Sequence, residues 1–177
     1  MRQQGRQVRR VDGMDARCNL AETEFALGEY SRAIEQCRAY IDYCRAERRV
    51  HRLANGLANL AAYLLAIDDP IEARAAARES LIRAQETQSR FLVVIGIEHL
   101  AVAGAVLGDP KMAARLLGFS DAHYRQGGTR REPTEQLGFD RLTALLRTTI
   151  EPDEIERLMA AGAALDERAA IDEALCI

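Results

Sequence analysis

The chain has 177 residues, enough for one domain with a sizeable core. Apolar residues make up 48% and aromatics 5%, with no Trp, so Ala and Leu must fill the interior, which favours closely packed helices over strands. The net charge of −3 is spread along the chain and offers no field of one sign to nucleic acid or a membrane surface.

Residues 1–12 form a polar arm with Arg2, Arg6, Arg9 and Arg10. Four arginines without aromatics are a poor nucleic-acid signature, so no direct nucleic-acid contact is expected. The arm lacks the apolar run of a signal peptide, and a cytoplasmic location is expected. Phe91–Gly108, the most apolar stretch, is interrupted by Glu98-His99 and is read as too short for a membrane span. Lys111 is the only lysine, which reads as codon bias before function.

From residue 13 a pattern recurs every forty residues. Leu20-Ala21, Leu60-Ala61 and Leu100-Ala101 are followed by Gly28, Asp68 and Gly108, then Tyr30, Pro70 and Pro110, then Ala33, Ala73 and Ala113. Columns at a fixed period mark stacked supersecondary units. Within each unit the apolar spacing is helical, as in Val93, Ile97, Leu100, Gly104 and Leu107. Asp69-Pro70 and Asp109-Pro110 place a capping carboxylate before a proline at the first helical position. Residues 13–125 are therefore read as three helix hairpins: 14–28 with 31–47, 51–66 with 70–88, and 91–107 with 110–125. Ala61 with Ala73, and Ala101 with Ala113, mark close helix crossings. Leu20, Leu60 and Leu100 are expected to be buried alike. Arg17 and Glu24 stand where the second repeat has Leu57 and Leu64, as on an outer terminal helix.

Gly127-Gly128 and Pro133 mark a loop over 126–133. The segment 134–177 then reads as three capping helices, near 134–149, from Glu151-Pro152-Asp153 to 163, and from Asp166 to the end. They are expected to cover the third repeat with Leu142, Leu145, Ile155 and Leu158, over Met112, Leu116 and Tyr124. The fold expected is all-α: a right-handed superhelix of antiparallel hairpins, an α-solenoid, with C-terminal capping helices.

No catalytic constellation stands out. His51, His99 and His123 fall in three different helices, and the sequence holds no GxSxG, HExxH or GxxxxGK[ST] motif. Cys37 and Cys44 are seven apart on one helix, about 10 Å at 1.5 Å per residue, too far for one metal. Cys18, Cys37, Cys44 and Cys176 read as reduced, small buried hydrophobes. The acids of Glu151-Pro152-Asp153-Glu154 are explained by capping and the helix dipole. No catalytic residue, cofactor or metal is assigned, and no enzyme activity is expected.

The columns resemble tetratricopeptide repeats, on Leu20-Ala21, Gly28-Glu29-Tyr30 and Ala33. Gly108-Asp109-Pro110, Ala113 to Gly118, Ala122, Pro133, Arg141, Leu145-Leu146-Arg147, Gly162, Leu165 and Glu173-Ala174-Leu175 resemble the C-terminal region of large bacterial regulators. Those carry an ATPase module, forty-residue helical repeats, and often a LuxR-type or adenylate-cyclase domain. Ile155 departs from the pattern, where an aromatic is expected. The resemblance implies a regulatory module that senses partners.

The inner side of the stacked first helices would bind a protein or peptide. By the repeat columns it carries Asp15, Cys18, Glu22 and Phe25, then Asn55, Ala58, Asn59, Ala62 and Leu65, then Ile95, Glu98, Val102 and Val106. Cys18, Ala58 and Glu98 occupy a column where a carboxylate-gripping repeat needs a basic residue. A helix or extended peptide with apolar anchors and basic flanks suits this face better. Asn19, Asn59 and His99 share the column before the leucine and could form a ladder. Two alternatives stand: a small-molecule effector in the concave groove, or an architectural oligomerisation unit. Val11, Met14 and Leu20 are the apolar surface through which the first hairpin would self-associate.

Overall fold

The computed structural model describes residues 13–177, which fold into nine helices without a strand. They are α1 (Gly13–Ala26), α2 (Tyr30–Ala46), α3 (Val50–Ala66), α4 (Pro70–Glu86), α5 (Arg90–Leu107), α6 (Pro110–Gly127), α7 (Pro133–Thr149), α8 (Pro152–Ala163) and α9 (Glu167–Ala174). From α1 to α6 each helix packs on the next, and α3 also touches α5. The polar arm 1–12, with Val11, lies outside the described residues.

The backbone repeats every twenty residues, half the period of the side-chain columns. Gly28, Arg48, Asp68, Gln88, Gly108 and Gly128 all adopt positive φ. After each, the next amide reaches back into the finished helix: Glu29 to Glu24, Arg49 to Cys44, Asp69 to Leu64, Ser89 to Ala84, Asp109 to Gly104 and Thr129 to Tyr124. These bonds satisfy carbonyls that a helix end leaves unpaired. Three of the six positions lack glycine, and a non-glycine residue in this conformation stores about 1 kcal/mol or more. After the first five the next helix starts at once, and after Gly128 it starts at Pro133. Asp69 accepts a hydrogen bond from the Glu72 amide and Asp109 from that of Met112, both at 3.1 Å.

Burial follows the same twenty-residue rule. Ala33, Leu53, Ala73, Val93 and Ala113 are buried, as are Cys37, Leu57, Ala77, Ile97 and Leu117 four residues on. In α1 the equivalent register runs through Arg17, Leu20, Ala21 and Glu24. Only Ala21 is buried, and Leu20 is 45% exposed against 7% for Leu60 and 0% for Leu100. The expectation of three equally buried leucines is wrong at Leu20. That side of α1 faces no described helix, because α1 packs on α2 and only slightly on α3.

The connection after α6 is 128–132, shorter than the loop expected over 126–133, and the last three helices all pack on α5 or α6. α8 packs on α6, and α9 on α5 and α6, whereas α7 crosses to α5 and α3. At the α6–α8 crossing two glycines meet opposing backbone. A Cβ on Gly162 would overlap the Arg115 carbonyl oxygen, and one on Gly118 the Met159 oxygen. Leu142, Leu158, Leu116 and Tyr124 are buried, with Leu145, Ile155 and Met112 partly buried against them.

Among the described residues α5 is the one helix long and apolar enough to cross a membrane, which the interrupted stretch was read as failing to be. Within the fold 78% of it is buried, and packing against α4, α6 and α7 accounts for its apolarity. The cysteines divide: Cys37 and Cys44 are buried, Cys18 is half-buried and Cys176 exposed, against the expectation that all four are interior. Cys37 donates to the Gly56 carbonyl at 3.1 Å, and burial pushes its thiol far above the ordinary range.

Candidate functional site

The inner side of α1, α3 and α5 is not one surface. Its N-terminal part is open. Cys18, Asn55 and Asn59 are half-buried, and Glu22 is exposed. Asn59 Nδ2 donates to Glu22 Oε1 at 3.2 Å, tying α3 to α1. Asp15 belongs to α1, its side chain outside the described set. Phe25 is not part of this surface: it is 9% exposed and stacks on Tyr63, ring centroids 4.6 Å apart. Ala58 is likewise buried, because a methyl group at a packed crossing presents little surface.

The second and third repeats are closed by α7. Ala62, Leu65, Ile95, Glu98 and Val102 are buried and Val106 half-buried, against the expectation that a partner meets them directly. A Cβ on Gly138 would stand 3.6 Å from Val102, so α7 crosses α5 closely at a residue with no side chain. Leu137, Gly138 and Arg141 lie over Ala62, Leu65 and His99. Arg141 donates to the Leu65 carbonyl and pairs with Asp68. The guanidinium thus sits at the C-terminal end of α3, where the helix dipole favours a cation.

Glu98, assigned to basic flanks of a partner, already has a cation from its own chain. Arg131, in the loop before α7, brings Nη2 to 2.8 Å and Nε to 3.0 Å from the carboxylate. Its Nη1 reaches Asp121 at 3.2 Å, and Ser120 Oγ donates to Glu98 at 2.7 Å. The guanidinium lies between the Tyr124 and Phe139 rings, 4.4 and 4.1 Å from their centroids. Breaking such a buried pair from one side costs about 3–5 kcal/mol, because the remaining charge stays desolvated. The signal for this partner was in the sequence: a carboxylate inside the most apolar helix requires a buried cation.

Below the N-terminal half of α7 the floor is polar. His99 is 1% exposed, and neither ring nitrogen has a hydrogen-bond partner among the described residues. Burial lowers its imidazole to about 4. Burial raises the Glu135 carboxyl to about 7, with Glu132 and Glu98 adding to the rise against local hydrogen bonds. The Tyr63 and Tyr124 hydroxyls are also buried without partners, and both lie in the field of Glu135. Asn19, Asn59 and His99 do not form a ladder: Asn19 is exposed, Asn59 bonds across to α1, and His99 is sealed in.

Two cavities bear on ligands. The space at His99 is only about 20 Å³. A cavity of about 570 Å³ opens between α6, α7 and α8, lined by Leu117, Phe139, Leu146, Ile155 and Met159, with Arg147 and Glu156 also bordering it. The acids at the start of α8 divide. Glu151 makes no side-chain cap, whereas Asp153 and Glu154 stand in the first turn as the helix dipole favours, and Glu154 also pairs with Lys111 at 2.9 Å.

The chain matches no family model, no curated protein and no solved structure.

Proposed function

We propose that this protein is a non-catalytic interaction or sensor module of tetratricopeptide type, built as a right-handed array and regulatory in its setting. The observation that carries this is the run of six turns with one hydrogen-bond pattern at twenty-residue spacing, the first five each joining two packed helices. A chain that repeats one backbone unit presents an extended surface whose side chains vary while its geometry does not. The open stretch of Cys18, Glu22, Asn55 and Asn59 is the first contact surface for a protein partner. It is acidic at Glu22 and offers amide groups at Asn55 and Asn59, which suits a peptide with basic flanks.

Peptide-display selection against the full chain tests this. Selected peptides should carry apolar anchors flanked by Arg or Lys. Glu22→Arg and Asn59→Arg should weaken them at least about tenfold, some 1.4 kcal/mol. Peptides indifferent to both substitutions would place recognition elsewhere and end this reading.

A small-molecule effector is the second reading, and the cavity between α6, α7 and α8 favours it over the groove. About 570 Å³ lies within the range of small-ligand sites, whereas the space at His99 holds about 20 Å³.

A further inference from the structure

The segment that closes the inner face is itself a helix, and the way it is held differs from the way its neighbours are held. α8 lies backbone to backbone on α6 through Gly118 and Gly162, and α9 is tied to α6 by Arg115 and Glu173, whose Nη2–Oε1 distance is 2.6 Å. Neither anchor involves α7. Between α7 and α8 there is little contact and the apolar cavity intervenes, so the far side of α7 is poorly supported. On the near side it is held by the buried Leu142 and Leu146 and by two polar tethers: the Arg141 grip on Leu65 and Asp68, and the Arg131 network just before its first turn.

The floor under α7 is poorly matched to it. Among the described residues both His99 nitrogens and the Tyr63 and Tyr124 hydroxyls are buried without partners, and the buried Glu135 carboxyl of α7 lies in the field of the two tyrosines. A polar group sealed without a hydrogen bond destabilises the arrangement that seals it. Such penalties are released when water or a better-matched helix reaches the floor. Elements of low local stability are those that move when proteins switch.

We infer that the α3–α5 face is a helix-receiving groove, that α7 is its exchangeable resident, and that a partner enters as an amphipathic helix that displaces α7. The resident shows what fits: a glycine at the crossing, an arginine three residues on and a leucine four residues on, as in Gly138, Arg141 and Leu142. A partner helix with a small residue, Arg and Leu in that spacing meets Val102, the end of α3 and the core in turn. A donor facing His99 or Tyr63 would give it an advantage over α7. This rests on the inner face being the partner-binding face.

The test uses the full chain, a fluorescent peptide of residues 133–149 as probe, and hydrogen–deuterium exchange. Arg141→Ala removes a tether at a partly exposed side chain and leaves the core intact. Gly138→Cys with Val102→Cys locks α7 to α5 when oxidised. The amides of α7 should exchange faster than those of α3 and α6, and faster still in Arg141→Ala. The peptide should bind Arg141→Ala about tenfold more tightly than the parent chain, since apparent affinity scales with the open fraction. The oxidised lock should abolish binding, and reduction should restore it. Exchange in α7 as slow as in α6 in both proteins, or peptide binding that survives the oxidised lock, overturns the proposal. Display-selected peptides that respond to Glu22→Arg but are not displaced by the 133–149 peptide leave the interaction function standing and remove only the exchange.

Discussion

Gly162→Ala is the sharpest test of how the C-terminal helices are held. By intrinsic propensity, alanine in a helix interior is about 1 kcal/mol better than glycine. Here geometry opposes it. The added Cβ would overlap the Arg115 carbonyl oxygen and stand 2.6 Å from the carbonyl carbon. Carbon atoms pack best at about 3.5–4.0 Å, so α8 and α6 must part by about 1 Å. A gap of that size forfeits a quarter to a half of each contact along the crossing, and overpacking of this kind costs about 1–3 kcal/mol. Because the obstacle is backbone and no rotamer change relieves it, the cost falls at the upper end of that range, and after the propensity gain a net loss of about 1–2 kcal/mol is expected. Gly104→Ala is the control. Its Cβ would meet Ile177 Cδ1 at 2.8 Å, the tip of a side chain near the chain end, which can turn away. Urea unfolding followed by far-UV circular dichroism should show a clear drop in midpoint for Gly162→Ala and almost none for Gly104→Ala. If Gly162→Ala is as stable as the parent, the backbone contact is not holding α8.

Further outcomes can be checked on the same protein. The folded state keeps Glu135 protonated up to about 7, so its contribution is present below the ordinary carboxylate range and lost as pH rises to about 7; buried neutral His99 contributes above 6.5 and loses that as pH falls to about 4. The two slopes oppose each other between about pH 4.5 and 6.5, so stability there should be nearly flat; Glu135→Gln should expose a rise with pH and His99→Phe a fall, each about 2–3 kcal/mol in thermal or urea melts. Leu60→Ala and Leu100→Ala should cost about 2–5 kcal/mol in urea unfolding, and Leu20→Ala no more than about 0.5. Arg48→Gly should raise the melting midpoint by relieving about 0.5–1 kcal/mol of backbone strain, and no gain would mean the turn is unstrained. Leu20 on α1 and Leu27 in the turn just after it are exposed, so light scattering across a concentration series should detect self-association that Leu27→Glu removes.

Much of the helix layout was legible because the chain marks several helix ends. Asp-Pro at the starts of α4 and α6, and Gly28 and Gly108 at turns, placed most boundaries within a residue or two. The twenty-residue unit was not legible, since the alternate turns carry Arg48 and Gln88, which look like surface residues until their φ angles are known. Leu20 was misread because column equivalence does not say whether a neighbouring helix exists to cover it. The inner face was the largest error. Its columns were found, and Asn55 and Asn59 do remain accessible, but sequence spacing cannot show that a later helix returns to lie on it. Glu98 in α5 and Arg131 after the glycines were visible separately. Only their separation of 2.8 Å makes them one network.

The equal turns also set a rule of parity. Each helix packs on the next and α3 also meets α5, so adding or removing twenty residues would change which helix meets which, and forty would preserve the alternation. α7 adds a second constraint, because Arg141 reads the end of α3 while Arg131 reads the middle of α5. It spans two successive first helices like a gauge. A hairpin could be inserted ahead of α3 without disturbing it, but not between α3 and α5. The spacing between α3 and α5 is therefore fixed by the segment that contacts both.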